Sequence, residues 1–236
     1  MIGSSWSMAT GVPIEDSYHG VLEERLNLNP DIQPVEIINF AVEYYSLREI
    51  VGTVKTKVLD WNPDIIIVAV TFTTAQLVWD GVIADRQLPP KNNPFFTSYT
   101  MRALTGALGV EWTGPSDPRR PITGVNGMGL MREQLQRSLR EIAAVANPKG
   151  IKTMVLWMAY AELQRRLLAE VERSAEETGA IVVRGDKSLL GTKAEQELLR
   201  ISRFDRHPNE LAHSKIADVL ESALIENNLL PAKVSL

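Results

Sequence analysis

The chain alternates between short apolar runs and longer amphipathic stretches. Runs rich in β-branched residues predict strands at residues 35–40, 65–72, 151–157 and 180–183, and at least one helical pattern separates each run from the next. This alternation favours a parallel sheet. The nearly continuous apolar run at 65–70 is typical of a strand covered on both faces. We therefore predict an α/β fold, a three-layer α/β/α sandwich with a mostly parallel sheet.

Helical patterns fill most of the remaining chain. Five helices are predicted at residues 17–28, 46–61, 128–146, 162–177 and 208–227. Ser46 and Glu49 have the spacing of a capping box, Gly179 is suited to end a helix, and Pro208 is suited to the first turn of the last helix. His19 lies on the first helix, where we expect it at the surface or at the boundary of the core.

One stretch interrupts the alternation. Residues 88–127 are rich in Pro, Gly, Asn and Thr, with one short helical pattern, and predict an insertion that forms a lid or wall over the site. A chain of 236 residues with 44% hydrophobic residues is long enough to bury one substantial core. We expect a single domain over residues 1–236.

Composition narrows the possible partners. The net charge is -4 with Lys and Arg scattered among Asp and Glu, so we expect no nucleic-acid partner. No apolar run approaches the roughly 18 residues of a membrane span, and no basic region followed by an apolar run marks a secretion signal. We expect a soluble protein, cytoplasmic by default, although the chain starts abruptly at a motif that could follow lost upstream sequence.

The absence of cysteine limits the chemistry. It excludes disulfides, thiolate metal sites and a cysteine nucleophile, so a nucleophile must be Ser, Thr or a carboxylate. The three dispersed histidines lack a carboxylate spacing suited to a metal site. We therefore expect neither a metal nor a cofactor.

Two short motifs carry candidate chemistry. Ser5, at the end of a Gly-Ser-Ser sequence, precedes a turn-prone segment and then a helix, so its hydroxyl could point out of the sheet. Asp205 and His207 lie together on the loop before the last helix, where a carboxylate can orient an imidazole that removes a hydroxyl proton. The alternative is that Asp205 and Asn209 cap the helix while His207 packs in the loop.

These motifs resemble those of the SGNH (GDSL-like) hydrolases. The opening Gly3-Ser4-Ser5, followed by Gly11-Val12-Pro13 and Tyr18, is similar to the family's first motif, a Gly-Asp-Ser sequence with a Gly-Val-Pro stretch and a Tyr-containing helix. Residues 35–42 and 62–68 are similar to its second and third strands, and residues 205–209 with 212–213 to its final motif. The resemblance implies a flavodoxin-like sheet of about five strands, with a first strand that is short or missing.

The resemblance also implies roles for individual residues. Ser5 corresponds to the nucleophile, His207 to the general base and Asp205 to the acid that orients it. The family's oxyanion hole uses the nucleophile's N–H, a glycine N–H and an asparagine side chain, and the last two positions correspond here to Tyr44 and Thr73. Ser4 replaces the usual aspartate.

These replacements leave three hypotheses open. The first is a serine esterase or acyltransferase acting on a small-molecule or glycan acyl ester. The second is a catalytically impaired binding module, because Tyr44 does not adopt the positive φ angles of glycine cheaply and Thr73 has a shorter arm than asparagine. The third is the same fold with different, carboxylate-led chemistry, for which Glu43 is a candidate.

Overall fold

A parallel sheet forms the centre of the molecule. The structure is a computed structural model, and it describes residues 1–71, 74–75, 125–159 and 165–233. The strands β1 (Ile65–Thr71), β2 (Lys152–Met158) and β3 (Ile181–Arg184) pair in this order, all parallel. β1 and β2 are almost entirely buried, as their largely apolar sequences predict.

Two further segments extend this sheet beyond β1. Ile2 forms a parallel bridge with Val68, with its N–H donating to Ile67 O at 2.9 Å. On its other side, residues 1–3 exchange hydrogen bonds with residues 38–42: Phe40 N–H donates to Met1 O at 2.9 Å, and the Met1 amino group donates to Ile38 O at 2.8 Å. The spatial order is therefore 38–42, 1–3, β1, β2, β3, which is the flavodoxin-like order 2-1-3-4-5. The predicted fold is confirmed, and the first strand is short.

Helices of very different length cover the sheet. The longer ones, at the predicted places, are α2 (Tyr18–Leu28), α3 (Leu47–Thr56), α4 (Val125–Ala146), α5 (Arg165–Thr178) and α8 (Glu210–Glu226). Among the described residues, the short helices α1 (Ser5–Met8), α6 (Asp186–Leu189) and α7 (Lys193–Leu198) were not expected. The predicted helix at 46–61 is α3 followed by a separate 3₁₀ turn, Val58–Trp61.

The core lies in two layers, one on each face of the sheet. Alternate strand residues face opposite sides, so neighbours such as Val68 and Ala69 enter different clusters. One layer joins the sheet to α3, α4 and α5, and the other joins it to α2 and α8. This is the predicted three-layer arrangement, with helices on both faces.

Helix ends explain most of the boundaries. The Ser46–Glu49 capping box is present, and Gly179 follows α5 with φ of 72°. The prediction for Pro208 was wrong: Asn209 is the N-cap of α8, and its side chain accepts from Ala212 N–H at 3.1 Å. An asparagine side chain satisfies a free N–H of the first turn, which proline does not.

The predicted insertion falls largely on residues that the structure does not describe. Residues 88–124 of the predicted lid lie outside the described ranges, whereas residues 125–127 already belong to α4. The single-domain organisation stays a prediction. Within the described parts of the chain, no helix combines the length and apolar character needed to cross a membrane.

His19 is the clearest correction to the sequence analysis. Its side chain is buried, with 4% exposure, and not at the surface or boundary. The ring packs edge-on against Tyr18, with ring centres 5.7 Å apart, and Asn39 Nδ2 lies 3.3 Å from its Nε2. The sequence pattern missed this because the partner, Asn39, comes from a distant segment.

Candidate active site

Ser5 begins the short helix α1 directly after the short first strand. The preceding Ser4 is buried and occupies the N-cap position, and Ser5 itself is half-buried. A side chain at Gly3 would overlap Ser7, and its Cβ would lie 2.9 Å from Ala69 Cβ, so only glycine lets the backbone turn this closely against β1. Since the first strand is parallel to β1, Ser5 lies at the carboxyl edge of the sheet, where α/β proteins bind ligands.

Tyr44 lies on the neighbouring loop at the same edge. Val42 N–H donates to Gly3 O at 3.3 Å, so Tyr44 and Ser5 each follow this pair by two residues in parallel segments. Thr10 Oγ1 donates to Glu43 Oε1 at 3.2 Å and joins the loop to the turn after α1. Tyr44 does adopt a positive φ, 61°, with a side chain that is 71% exposed. Such a conformation costs a residue with a Cβ roughly 1–2 kcal/mol.

Two backbone donors at this edge are available to a ligand. Within the described residues, neither Ser5 N–H nor Tyr44 N–H donates to a protein acceptor. Ser5 N–H is free because the first N–H groups of any helix have no partner inside it. Thr73, the third candidate donor, lies outside the described residues.

A chain of buried hydroxyls links the Ser5 turn to the end of β1. Ser4 Oγ lies 3.1 Å from Thr74 Oγ1, and Thr74 Oγ1 lies 2.8 Å from Thr71 Oγ1. Thr74 N–H also donates to Thr71 Oγ1 at 3.0 Å. All three side chains are at most 5% exposed. Sequence analysis missed Ser4 and Thr74 as contributors; the only signal was the threonine-rich end of the β1 segment.

Asp205 and His207 form a tight pair on the loop before α8. Asp205 Oδ1 lies 2.6 Å from His207 Nδ1 and also accepts from His207 N–H at 3.0 Å. The backbone N–H and then the ring of His207 hold the pKa of the Asp205 carboxyl below its usual value. Because the carboxylate engages Nδ1, the ring's Nε2 is left for another partner. Asn209, not Asp205, caps α8, so the capping alternative does not describe Asp205.

Contacts connect this loop with the Ser5 turn. His207 O accepts from Ile201 N–H at 3.0 Å, and a Cβ atom at Gly11 would lie 2.5 Å from Ile201 Cδ1. Gly11, with φ of 86°, ends the turn that follows α1. The two motifs are thus linked through one intervening side chain. No hydrogen bond joins Ser5 Oγ to His207 in the part of the chain that the structure describes.

The third histidine lies in the core between α2 and α8. His213 Nδ1 accepts from Tyr18 N–H at 3.2 Å, and its ring stacks on Tyr18 with centres 5.6 Å apart. Burial lowers the pKa of His213 to about 4 and that of His19 to about 4. These contacts fix α2 against α8. Among the described residues, no three His, Asp or Glu side chains lie close enough to hold a metal ion.

Comparison with known proteins supports the fold. The sequence matches no protein-family model and no curated protein. LAE5, an α/β hydrolase enzyme from the metagenome of Lake Arreo, has a similar structure, with 16% identity, a TM-score of 0.58, and coverage of 94% of this chain and 92% of that one. A protein assigned to the lipolytic G-D-S-L family of Desulfitobacterium hafniense aligns at 13% identity and a TM-score of 0.58, covering 94% and 97% of the two chains.

A third similar structure comes from a named esterase. It is a catalytic mutant of Axe2, an acetylxylan esterase from Geobacillus stearothermophilus, with 14% identity, a TM-score of 0.56, and coverage of 94% of this chain and 91% of that one. Similarity at these identities is similarity of fold. The chain therefore has the α/β architecture that these hydrolases share.

Proposed function

We propose that this chain is a serine-dependent ester hydrolase or acyltransferase, with Ser5 as nucleophile, His207 as general base and Asp205 as the orienting carboxylate. The observation that carries the proposal is the 2.6 Å contact between Asp205 Oδ1 and His207 Nδ1, on a loop linked to the Ser5 turn. This contact fixes the imidazole with Nε2 available, which is the arrangement a base needs to activate a serine.

The proposed reaction proceeds by acyl transfer through the enzyme. Ser5 Oγ attacks the ester carbonyl while His207 Nε2 takes the hydroxyl proton, and collapse of the tetrahedral intermediate breaks the ester C–O bond. The protonated imidazole returns its proton to the leaving alkoxide. Water, or another alcohol in the case of acyl transfer, then attacks the acyl-Ser5 ester by the same route and frees Ser5. The negative charge of Asp205 stabilises the imidazolium in both halves.

The oxyanion of the intermediate is assigned to the free donors at the sheet edge. Ser5 N–H and Tyr44 N–H have no protein acceptor among the described residues, and Thr73 is proposed as the third donor. The positive φ of Tyr44, 61°, supports this role, because the family pattern that the sequence resembles has glycine at this position. Each donor of this kind is worth roughly a hundred- to a thousandfold in rate.

Acetyl esters of carbohydrates are the first substrates to test. One structural neighbour is named as an acetylxylan esterase, and two of its catalytic mutants replace a serine in one case and a histidine in the other. The serine and histidine chemistry of that protein supports the same pair of residue types here. A small-molecule or glycan acyl ester is the proposed substrate class.

The proposal is tested with chromogenic esters. The parent is expected to hydrolyse p-nitrophenyl acetate, and Ser5→Ala to reduce kcat/KM at least about a thousandfold. Ser7→Ala, which removes another hydroxyl from the same short helix, is the matched control and is expected to retain activity. A fluorophosphonate probe should label Ser5 and no other residue. Equal turnover by the parent and Ser5→Ala would remove the proposal.

A non-catalytic binding module is the second candidate, and one observation favours it. Ser5 Oγ and His207 are not hydrogen-bonded in the described part of the chain, as expected where the nucleophile is no longer activated. Against this, catalytic hydrogen bonds in ligand-free enzymes are often long and tighten only with substrate. Stoichiometric fluorophosphonate labelling of Ser5 would contradict a purely binding role, whereas no labelling together with saturable binding of an acetylated oligosaccharide would favour it.

A further inference from the structure

The buried hydroxyl chain of Ser4, Thr74 and Thr71 lies beside the proposed nucleophile without taking part in the proposed chemistry. Its three side chains are at most 5% exposed, so their hydrogen bonds are shielded from water. A buried hydroxyl without a partner is unfavourable, and here each hydroxyl has one: Ser4 with Thr74 at 3.1 Å and Thr74 with Thr71 at 2.8 Å.

The buried hydroxyl chain joins two segments that are far apart in sequence. Ser4 is the N-cap of α1 and directly precedes Ser5, whereas Thr74 follows the end of β1 and directly follows Thr73. Thr71, the last residue of β1, anchors Thr74 a second time, because its Oγ1 accepts from Thr74 N–H at 3.0 Å. In the described part of the chain, the Ser4–Thr74 contact is a side-chain link between the turn of the proposed nucleophile and the residues that follow β1.

We infer that Ser4 and Thr74 are positioning residues, whose hydrogen bond holds the Ser5 turn against the carboxyl end of β1 and so sets the position of Ser5 Oγ at that edge. This inference rests on the proposed function. A displacement of about 1 Å at a reacting centre costs on the order of a hundredfold in rate. The Ser4–Thr74 bond holds the residue directly before Ser5, whereas the Thr10–Glu43 bond holds the turn five residues beyond it. Removing the Thr74 hydroxyl leaves Ser4 Oγ buried without this partner, and removing the Ser4 hydroxyl leaves Thr74 bonded only to the Thr71 side of the chain of hydroxyls; in both cases the Ser5 turn loses its link to Thr74.

The packing of the neighbouring backbone shows why the hydroxyls suffice to set this position. Gly3 is already pressed against Ala69, so the turn has no freedom to move toward the sheet. The Ser4–Thr74 bond holds the turn on the side of β1, and the hydrogen bond from Val42 N–H to Gly3 O, at 3.3 Å, holds it on the other side. Loss of the Ser4–Thr74 bond therefore lets the turn move away from Thr74.

The test compares isosteric variants. Thr74→Val replaces the hydroxyl with a methyl group and is expected to lower kcat about tenfold or more, with KM changed less than about twofold. Thr74→Ser restores a hydroxyl and is expected to stay within about threefold of the parent. The matched control is Thr153→Val on β2, where a buried hydroxyl with no partner among the described residues is removed far from the carboxyl edge.

A readout per active site separates positioning from folding. Fluorophosphonate titration of reactive Ser5 gives the concentration of competent enzyme, and kcat is expressed per titrated site, so a loss of folded protein does not alter it. The pH at half-maximal activity should stay the same, because the base is untouched. The double variant Ser4→Ala, Thr74→Val should be no slower than the slower single variant, since both remove one hydrogen bond.

Opposite results identify which idea fails. A kcat per titrated Ser5 within twofold of the parent for Thr74→Val would overturn the positioning role while leaving the proposed function intact. Turnover that survives Ser5→Ala would overturn the proposed function and this inference with it. Should Thr74→Val not fold, Ser4→Ala removes the other end of the same hydrogen bond and is judged by the same criterion.

Discussion

The two buried histidines predict a steep loss of stability in mild acid. Burial lowers the pKa of both His19 and His213 to about 4, from an unfolded value of about 6.5. Between these two pKa values the unfolded chain binds protons that the native state does not bind, so the free energy of unfolding falls as the pH falls. The contribution of the two neutral histidines to the free energy of unfolding is complete above about pH 6.5 and is lost as the pH falls toward 4.

Burial explains why the charged forms are disfavoured, because it takes both imidazoles out of water. His19 Nε2 lies 3.3 Å from Asn39 Nδ2 and 3.2 Å from Ser17 Oγ. His213 Nδ1 accepts from Tyr18 N–H at 3.2 Å. Protonation of His213 Nδ1 would place two donors face to face in the core.

The expected magnitude follows from the size of the shift. A pKa difference of about 2.5 corresponds to about 3 kcal/mol per histidine when fully expressed, and to about 2 kcal/mol at pH 5. The free energy of unfolding of a domain of this kind is about 5–15 kcal/mol, so the contributions of His19 and His213 together make up a large part of it. Urea titrations followed by circular dichroism at pH 7.5, 6.5, 5.5 and 5.0 measure the dependence directly.

Glutamine variants isolate the histidine contribution. His19→Gln and His213→Gln each lose packing at every pH, but each should reduce the difference in unfolding free energy between pH 7.5 and pH 5 by about 2 kcal/mol. The double variant should retain the dependence that carboxylates cause at lower pH and the dependence caused by the Met1 amino group, whose pKa burial lowers to about 6. A double variant with the same difference as the parent would refute the assignment of the acid sensitivity to these two rings.

Three further predictions concern the first turn, the proposed orienting acid and the core. Gly3→Ala, whose Cβ would overlap Ser7, should lower the free energy of unfolding, measured by urea titration, by about 1–3 kcal/mol. Gly52→Ala, with no atom within 4 Å of the new Cβ, is the control and should raise it by about 0.5–1 kcal/mol. Similar values for the two variants would contradict the close packing at Gly3. Asp205→Asn should lower kcat for p-nitrophenyl acetate about a hundredfold or more, and a decrease below threefold would argue against its orienting role. Leu139→Ala, at 1% exposure, should cost about 3 kcal/mol in the same urea titration, and a loss under about 1 kcal/mol would mean that α4 is not packed as described.

The layered fold was predictable because its signals are local. The run of residues 65–70 is apolar on both faces, which is a property of the segment itself, and it forms β1 within a residue or two of the expected bounds. The capping box at Ser46 and Glu49 is equally local. The pairing of residues 38–42 with 1–3 is not local, since it depends on backbone hydrogen bonds between two segments distant in sequence. The apolar pattern at 35–40 predicts a strand but does not name its partner.

The environment of each polar side chain was harder to predict. His19 lies on a helix whose apolar periodicity is weak, so its burial depends on Asn39 from another segment. The pairing of Ser4 with Thr74 likewise joins residues 70 positions apart. By contrast, the contact between Asp205 and His207 spans two residues, and adjacency in sequence was enough to suggest it. Local partners are visible in a sequence, whereas partners supplied by folding are not.

The two departures from the resembled motifs affect the proposed site in different ways. At Tyr44 the backbone adopts a positive φ, 61°, which glycine would adopt without strain, so the cost of the tyrosine falls on stability. At Ser4 the usual carboxylate is replaced by a hydroxyl, and the buried partner at this position is another hydroxyl, Thr74. A neutral pair needs no countercharge in the core, whereas an aspartate there would have to be neutralised or paired. Serine at this position therefore fits a site whose surroundings are uncharged hydroxyls, and activity should depend on the geometry of that pair more than on its charge.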